Sequence, residues 1–368
     1  MAPSTGGQYF WVSEFDYELI PWRSTLMTIP PLAVVLGYTL FAHKYLPMLQ
    51  NFTVILHVMG AVLIIITLWV AAPHVTAKEV VLDISNQGAY SNVFIMFMIG
   101  QLSPIWGLTS MDAPVHMAEE VHNAAVALPR AMMYAFIFNG FLGFAMLTTV
   151  LFSMPDIPSA LANPAGPFFY VVQQAWPTTG YAYTVWIVSS VVLVGNIPFA
   201  AAAARLTFAF ARDGALPHHA RFSTINQRLQ VPVPAILGTI AFAFVMSFVK
   251  LGSATAFAAL LSMCSMLQIA SYTIPIFCIL WRRIVAPQKL PAAKWSLGRC
   301  GIPINAIAAL FGANTVFWMA WPTALPVDID NFNFSAPLTV AIIGAMFVWY
   351  RIYGMKKYIS PRERIKDQ

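Results

Sequence analysis

Apolar residues run along this chain in blocks of roughly twenty, separated by short polar stretches rich in proline and glycine. A helix needs about 20 largely apolar residues to cross a bilayer. On that measure the pattern predicts nine spans, at about 24–42, 46–71, 92–118, 131–154, 182–209, 233–249, 254–281, 302–321 and 337–353. The connecting segments carry breakers, as in "MPDIPSALANPAGP" and "WPTALPVDID". One block departs from the pattern. After "NVFIMFMIG" the text continues "QLSPIWGLTSMDAPVHMAEE", which sets Gly107, Thr109, Ser110, Asp112 and Pro114 where the chain should still lie within lipid.

Composition agrees with a membrane protein. Of 368 residues, 59% are hydrophobic and 9% charged, and the mean hydropathy is +0.70, whereas soluble domains carry roughly a quarter charged residues. The fold class expected is therefore all-α: a polytopic membrane helix bundle. The sequence pI near 9.2 does not point to nucleic acid, because the basic residues fall in loops on one side. If every predicted span crosses and the C-terminus is cytoplasmic, only Arg23, Lys78 and Lys250 of the twenty Lys and Arg lie outside. That is the segregation the positive-inside rule requires. It also puts the N-terminus outside, although "MAPSTGGQYFWVSEF" has no signal-peptide character.

Cys264, Cys278 and Cys300 are too widely spaced for a disulfide framework or a metal site and read as small buried side chains. The sequon at Asn333 falls on the outer side and reads as a glycosylation acceptor. Trp318, Trp321 and Trp349 near span ends read as interface anchors.

Of the fourteen acidic residues, Asp112 alone lies well inside an apolar span. A charge at the bilayer centre costs at least about 2.5–3.5 kcal/mol. Gly107 and the pair Thr109–Ser110 let the backbone leave helical geometry, Pro114 suits the first turn of a new helix, and Asp112 is expected to cap it. A broken helix frees carbonyls and amides near the midplane for a solute or ion, and unwound backbone survives there only beside protein or water. The alternative is a proline kink whose polar groups are satisfied by neighbouring helices. If the second half is helical, Asp112, His116, Glu119, Glu120 and Asn123 form one stripe, a proton path or inner gate. "HMAEE" is not the H-E-x-x-H zinc pattern, and there is no nucleophile triad or carboxylate pair, so neither a metal site, a catalytic residue nor a cofactor is expected. The chain is read as not an enzyme.

These residues carry a resemblance. "MDAPVHMAEEVHNAAVALPRAM" is similar to the sixth-helix signature of the amino acid–polyamine–organocation superfamily, above all its fungal amino acid/choline/GABA permease branch, including a P-R pair that opens the following helix. "RLTFAFARDGALP" resembles the close of that family's eighth helix, "KWSLGRCGIPIN" the approach to its eleventh, and "MAPSTGGQYFWVSEF" the start of its third. The resemblance implies a twelve-helix inverted-repeat fold, of which the nine spans match helices four to twelve. Residues 1–368 then form one transporter domain, incomplete because the first two helices and most of the third are absent, as in a truncated or mis-spliced product.

The resemblance further implies a secondary active transporter for amino acids or related amines such as choline or GABA, coupled to protons. It lies in the plasma membrane, with the vacuolar membrane as alternative. Trp106, Gly107, Leu108, Thr109, Ser110, Met111 and Asp112 would face substrate, with Phe199 as an aromatic wall, and Asp112, His116 and Glu119 would serve coupling or gating. The partners implied are a small-molecule substrate, H+ and the lipid bilayer. A non-transporting receptor-like relative, or an inactive fragment, remains the second reading.

Overall fold

The computed structural model describes residues 21–82, 89–109, 112–163, 165–290, 294–328 and 332–358. Its main helices are α1 (Ile29–Gly37), α2 (Leu46–Ala71), α3 (Val93–Gly100), α4 (Leu102–Gly107), α5 (Ala124–Phe152), α6 (Pro167–Ala175), α7 (Thr179–Arg212), α8 (Val233–Ser247), α9 (Ala254–Val285), α10 (Gly301–Trp318) and α11 (Ser335–Trp349). No strand occurs among the described residues, so the protein is an all-α polytopic bundle. Helix starts follow local chemistry. Proline occupies one of the first two positions of α1, α2, α6 and α8, where its missing N–H removes no helical bond. The Asn92 side chain accepts from the Phe94 amide at 2.8 Å, and Ser253 Oγ accepts from the Ala256 amide at 3.1 Å, each an N-cap.

Among the described residues seven helical stretches are long and apolar enough to cross a membrane. They differ from the nine expected in two places. The first two spans are joined in one stretch, Ile29–Ala71, of 43 residues. At 1.5 Å per residue that is roughly 65 Å, twice the hydrocarbon thickness. The junction is irregular: a π segment, Tyr38–Ala42, then a 3-10 turn, His43–Tyr45. Pro47 sits in the first turn of α2, where it is tolerated rather than helix-breaking. The third span is interrupted, leaving the short apolar stretch Val93–Ile105. Pro129, expected to open a helix, lies inside α5, which starts at Ala124.

The described residues fall into two compact units. One comprises the described residues within 89–139 and 253–348; the other comprises those within 21–82, 140–252 and 349–358. In the first, α9 and α10 pack most extensively. A Cβ at Gly312 of α10 would collide with the Thr273 side chain of α9, so glycine is what lets these helices approach. In the second, Ile64 and Leu68 of α2 pack with Val150 of α5, Val171 and Val172 of α6 and Tyr181 of α7. A cavity of about 150 Å³ lined by Leu63, Leu68, Val172, Trp176, Tyr183 and Ile187 lies beside this cluster; none of the expected site residues lines it.

The surface suits lipid. Val70 is 81% and Phe141 73% exposed, whereas the buried set includes Thr149, Thr184, Thr315 and Ser335. Small and hydroxylated residues inside, large apolar ones outside, is how helices associate where lipid supplies no hydrophobic contrast. The buried hydroxyls of Thr149, Thr184 and Thr315 donate to carbonyls one turn earlier, on Ala145, Gly180 and Phe311, so these three are satisfied within their own helices.

Three expectations are corrected. Cys264, Cys278 and Cys300 are exposed; the first two lie on α9, where apolar length rather than burial accommodates them. Trp318 is only 7% exposed: its indole N–H donates to Asn314 Oδ1 at 3.1 Å and its ring meets Phe94, Phe317 and Trp321, so it is a packing residue rather than an interface anchor. The Asn333 side-chain amide donates to the carbonyls of Met319 at 2.8 Å and Trp321 at 2.6 Å. Both of its protons are used, so a glycan on that nitrogen is incompatible with this fold.

Candidate functional site

The interrupted helix lies in the first unit. Its first half is α3 followed by α4, which ends at Gly107. The Leu108 amide closes the last turn on the Ile105 carbonyl at 3.0 Å, and Thr109 is outside any helix. Ordered helical geometry resumes at Ala113 as a 3-10 segment, Ala113–Glu120, so the helix is broken over the stretch the sequence indicated. Ser110 and Met111 lie outside the described residues, as do the side chains of Trp106, Glu119 and Glu120. Gly107 is exposed. A Cβ built on it would meet no heavy atom within 4 Å among the described residues, so open space adjoins the end of α4.

The second half differs from expectation. It is eight residues of 3-10 helix, longer than the three or four such geometry usually sustains, as seen at hinges and strained sequences. It ends at Val121 in extended conformation, and Asn123 takes a left-handed φ of 51° immediately before α5. The five-residue α-helical stripe from Asp112 to Asn123 is therefore not formed. The Asp112–His116 step of it survives.

Asp112 sits at the N-cap position of the 3-10 segment, yet its side chain makes no capping bond. It is turned to two other partners. The hydroxyl of Tyr272, on α9, donates to Oδ1 at 2.5 Å, and Nε2 of His116 lies 3.1 Å from Oδ2. Tyr272 is itself held: the Gln268 side-chain amide, one turn earlier on α9, donates to its oxygen at 2.9 Å. The His116 and Asp112 side chains are 28% and 30% exposed, neither sealed nor free.

This arrangement has clear chemical capacities. A carboxylate has about four lone-pair sites, and two are engaged here, so Asp112 retains acceptors for an ammonium donor. A single contact of 3.1 Å joins the Asp112 carboxylate to the His116 imidazole. Tyr272 bridges α9 to the broken segment, so movement of either is felt by the other. Tyr272 and Gln268 were not among the residues singled out by sequence. The available signal was a Gln and a Tyr four apart in the apolar run "SMLQIASYTIPIF", which puts both on one helix face.

Phe199 belongs to the other unit. It follows Pro198 within α7 and is 58% exposed.

A family model described as amino acid permease matches residues 2–346. The chain is 28% identical to an uncharacterized amino-acid permease of Schizosaccharomyces pombe, over 87% of this chain and 59% of that protein. It is 26% identical to the choline transporter of Saccharomyces cerevisiae over 79% of this chain and 52% of the relative. It is 29% identical to amino-acid permease 2 of Neurospora crassa over 72% of this chain and 48% of the relative. The chain thus spans about half to three-fifths of the length of these curated relatives. The chain belongs to the amino acid permease family.

Proposed function

We propose that this chain carries the solute site of a secondary active transporter for amino acids or related amines, with the broken helix around Gly107–Asp112 as the place where solute is held. The observation that carries the reading is the Asp112 carboxylate at that break, bonded on one oxygen by Tyr272 and on the other by His116. Free backbone groups beside a carboxylate complement a zwitterion or an amine: carbonyls and Asp112 meet the ammonium, and amides meet a carboxylate where there is one. The names of relatives, choline transporter and amino-acid permease among them, support this substrate range.

Coupling to protons follows from the same group. Asp112 and His116 are titratable neighbours in a membrane-embedded segment, the usual composition of a proton relay. Trp106, Thr109, Ser110 and Met111 complete the proposed solute-facing stretch, and Glu119 the inner gate. In this reading residues 1–368 act as one transporter domain in the plasma membrane, and the C-terminus is cytoplasmic. The one-sided distribution of Lys and Arg supports that orientation.

The test is uptake of labelled amino acids, choline and GABA in cells lacking their own permeases. The chain is expected to raise uptake of at least one of them. The Asp112→Asn and Trp106→Ala variants are expected to lose it at unchanged membrane abundance. No uptake by the chain, or wild-type rates in both variants, overturns the assignment.

A further inference from the structure

The inner ends of α9 and α10, together with the described residues between them, hold a concentration of positive charge that no described residue neutralises. Arg282 and Arg283 close α9, Lys289 lies in the 3-10 turn Pro287–Lys289, and Arg299 lies in the 3-10 turn Gly298–Cys300 that leads into α10. There is no Asp or Glu between Trp281 and Trp318. Among the described residues none of these four side chains has a hydrogen bond or ion pair, and the Nε of Arg283 is buried without a partner. That N–H is enclosed by the protein, but Arg282 and Arg283 are partly exposed and Lys289 and Arg299 exposed, so the cluster's charge stays open to an anion.

The fold brings this guanidinium to a second source of positive potential. It lies against Gly301, where a Cβ would collide with its Nη1 and approach its Cζ to 2.7 Å. Gly301 is the first residue of α10, an 18-residue helix with no side-chain cap and no acidic residue in its first turn. A helix start attracts anions, so a cation resting on it is unfavourable unless an anion lies between them. The same place is bordered by acyl-chain surface: Trp281 is 70% exposed, and Ile284, Ile302 and Ile304 are exposed too.

We infer that this hairpin end binds the headgroup of an anionic phospholipid, its phosphate against Arg283 and the start of α10, with Arg282, Lys289 and Arg299 around it and the acyl chains along the flanking apolar face. A soluble phosphate offers the charge but nothing for that apolar border, which is why the lipid is the occupant. Assigning it to the inner leaflet rests on the orientation proposed above; binding itself does not.

The experiment uses the full chain in nanodiscs, where both leaflets carry the same lipid and neither orientation nor transport enters the readout. Thermal unfolding is compared in phosphatidylcholine alone, in phosphatidylcholine containing phosphatidylserine, and in phosphatidylcholine with inorganic phosphate added. Phosphatidylserine is expected to raise the midpoint for the wild type, and phosphate is not. Lipid retention, read by native mass spectrometry, is expected to fall roughly fivefold for each cation removed near the membrane surface. Arg283→Gln should therefore blunt both effects and Arg283→Lys restore part of them, while Arg299→Gln gives an intermediate loss in a side chain whose removal leaves packing intact. Equal phosphatidylserine responses in wild type, Arg283→Gln and Arg299→Gln overturn the inference and leave the charges as orientation signals. A wild-type response matched by inorganic phosphate overturns the lipid as occupant.

Discussion

The hydroxyl of Tyr272 donates to the carboxylate of Asp112 at 2.5 Å, joining residues 160 positions apart in the chain. This bond ties the middle of α9 to the broken segment between α4 and α5. It also accounts for Asp112 leaving its own helix start uncapped, since a charge-assisted bond to a phenol competes with one to a backbone amide. Such bonds are worth about 1.5–3 kcal/mol.

Removing only the hydroxyl tests what the tie does. Tyr272→Phe is expected to lower uptake by about tenfold or more, the equivalent of one lost charge-assisted bond, with unchanged abundance in the membrane. Gln268→Ala, which frees the Tyr272 oxygen without touching Asp112, is expected to give a smaller loss. Initial uptake rates at matched surface expression check both.

The approach of α9 and α10 makes a separate, purely structural expectation. Gly312→Ala forces a Cβ against Thr273, and overpacking of this kind costs about 1–3 kcal/mol. Thr273→Ala in the same chain is expected to recover part of that loss, because residues in contact are not additive. Thermal unfolding of the single and double variants in detergent checks it.

Much of this was legible in the sequence. The apolar blocks gave the helices, and Gly107, Thr109, Asp112 and Pro114 marked the break at the residues where regular α-helix ends. What periodicity cannot carry is tertiary pairing. Nothing in the spacing of Asp112 points to residues 268 and 272 on another helix, and without Tyr272 the carboxylate would have been free to cap. The same limit explains Trp318, whose position near a span end suggested the interface, while its neighbours Phe94 and Asn314 made it core. The 3-10 geometry of Ala113–Glu120 was also hidden, because Ala, Met and Glu are good α formers and Pro114 permits either helix.

Asn333 fastens the start of α11 to the end of α10. Its side chain donates to the carbonyls of Met319 and Trp321, and its Oδ1 accepts from the Ser335 amide at 3.1 Å. Asn333→Ala leaves these half-buried groups unmade and is expected to destabilise the protein by about 1–3 kcal/mol. The wild-type protein is expected to show no mobility shift on deglycosylation. Unfolding midpoints and gel mobility are the measurements.

Asp156 begins the short helix Ile157–Ala162 and accepts from both the amide and the hydroxyl of Ser159. Those two bonds hold its carboxyl below the ordinary carboxylate value, the side-chain bond first. A lowered folded-state value means the contribution is complete above the unfolded carboxylate value near 4 and disappears as pH falls through the folded one. Amide exchange in residues 157–162 is expected to rise relative to neighbouring segments as pH is taken below that range, after correction for intrinsic rates, and Asp156→Asn is expected to remove most of this pH dependence.

The proposed site requires that solute enter the gap between Gly107 and Asp112. The direct measurement is labelling of Thr109→Cys, in a chain whose three native cysteines are replaced by serine, with a membrane-impermeant thiol reagent in open membranes. Labelling that proceeds and is slowed by the transported amine or amino acid, but not by an unrelated solute, is the expected result. A residue that never reacts, or reacts at the same rate with and without that solute, contradicts it.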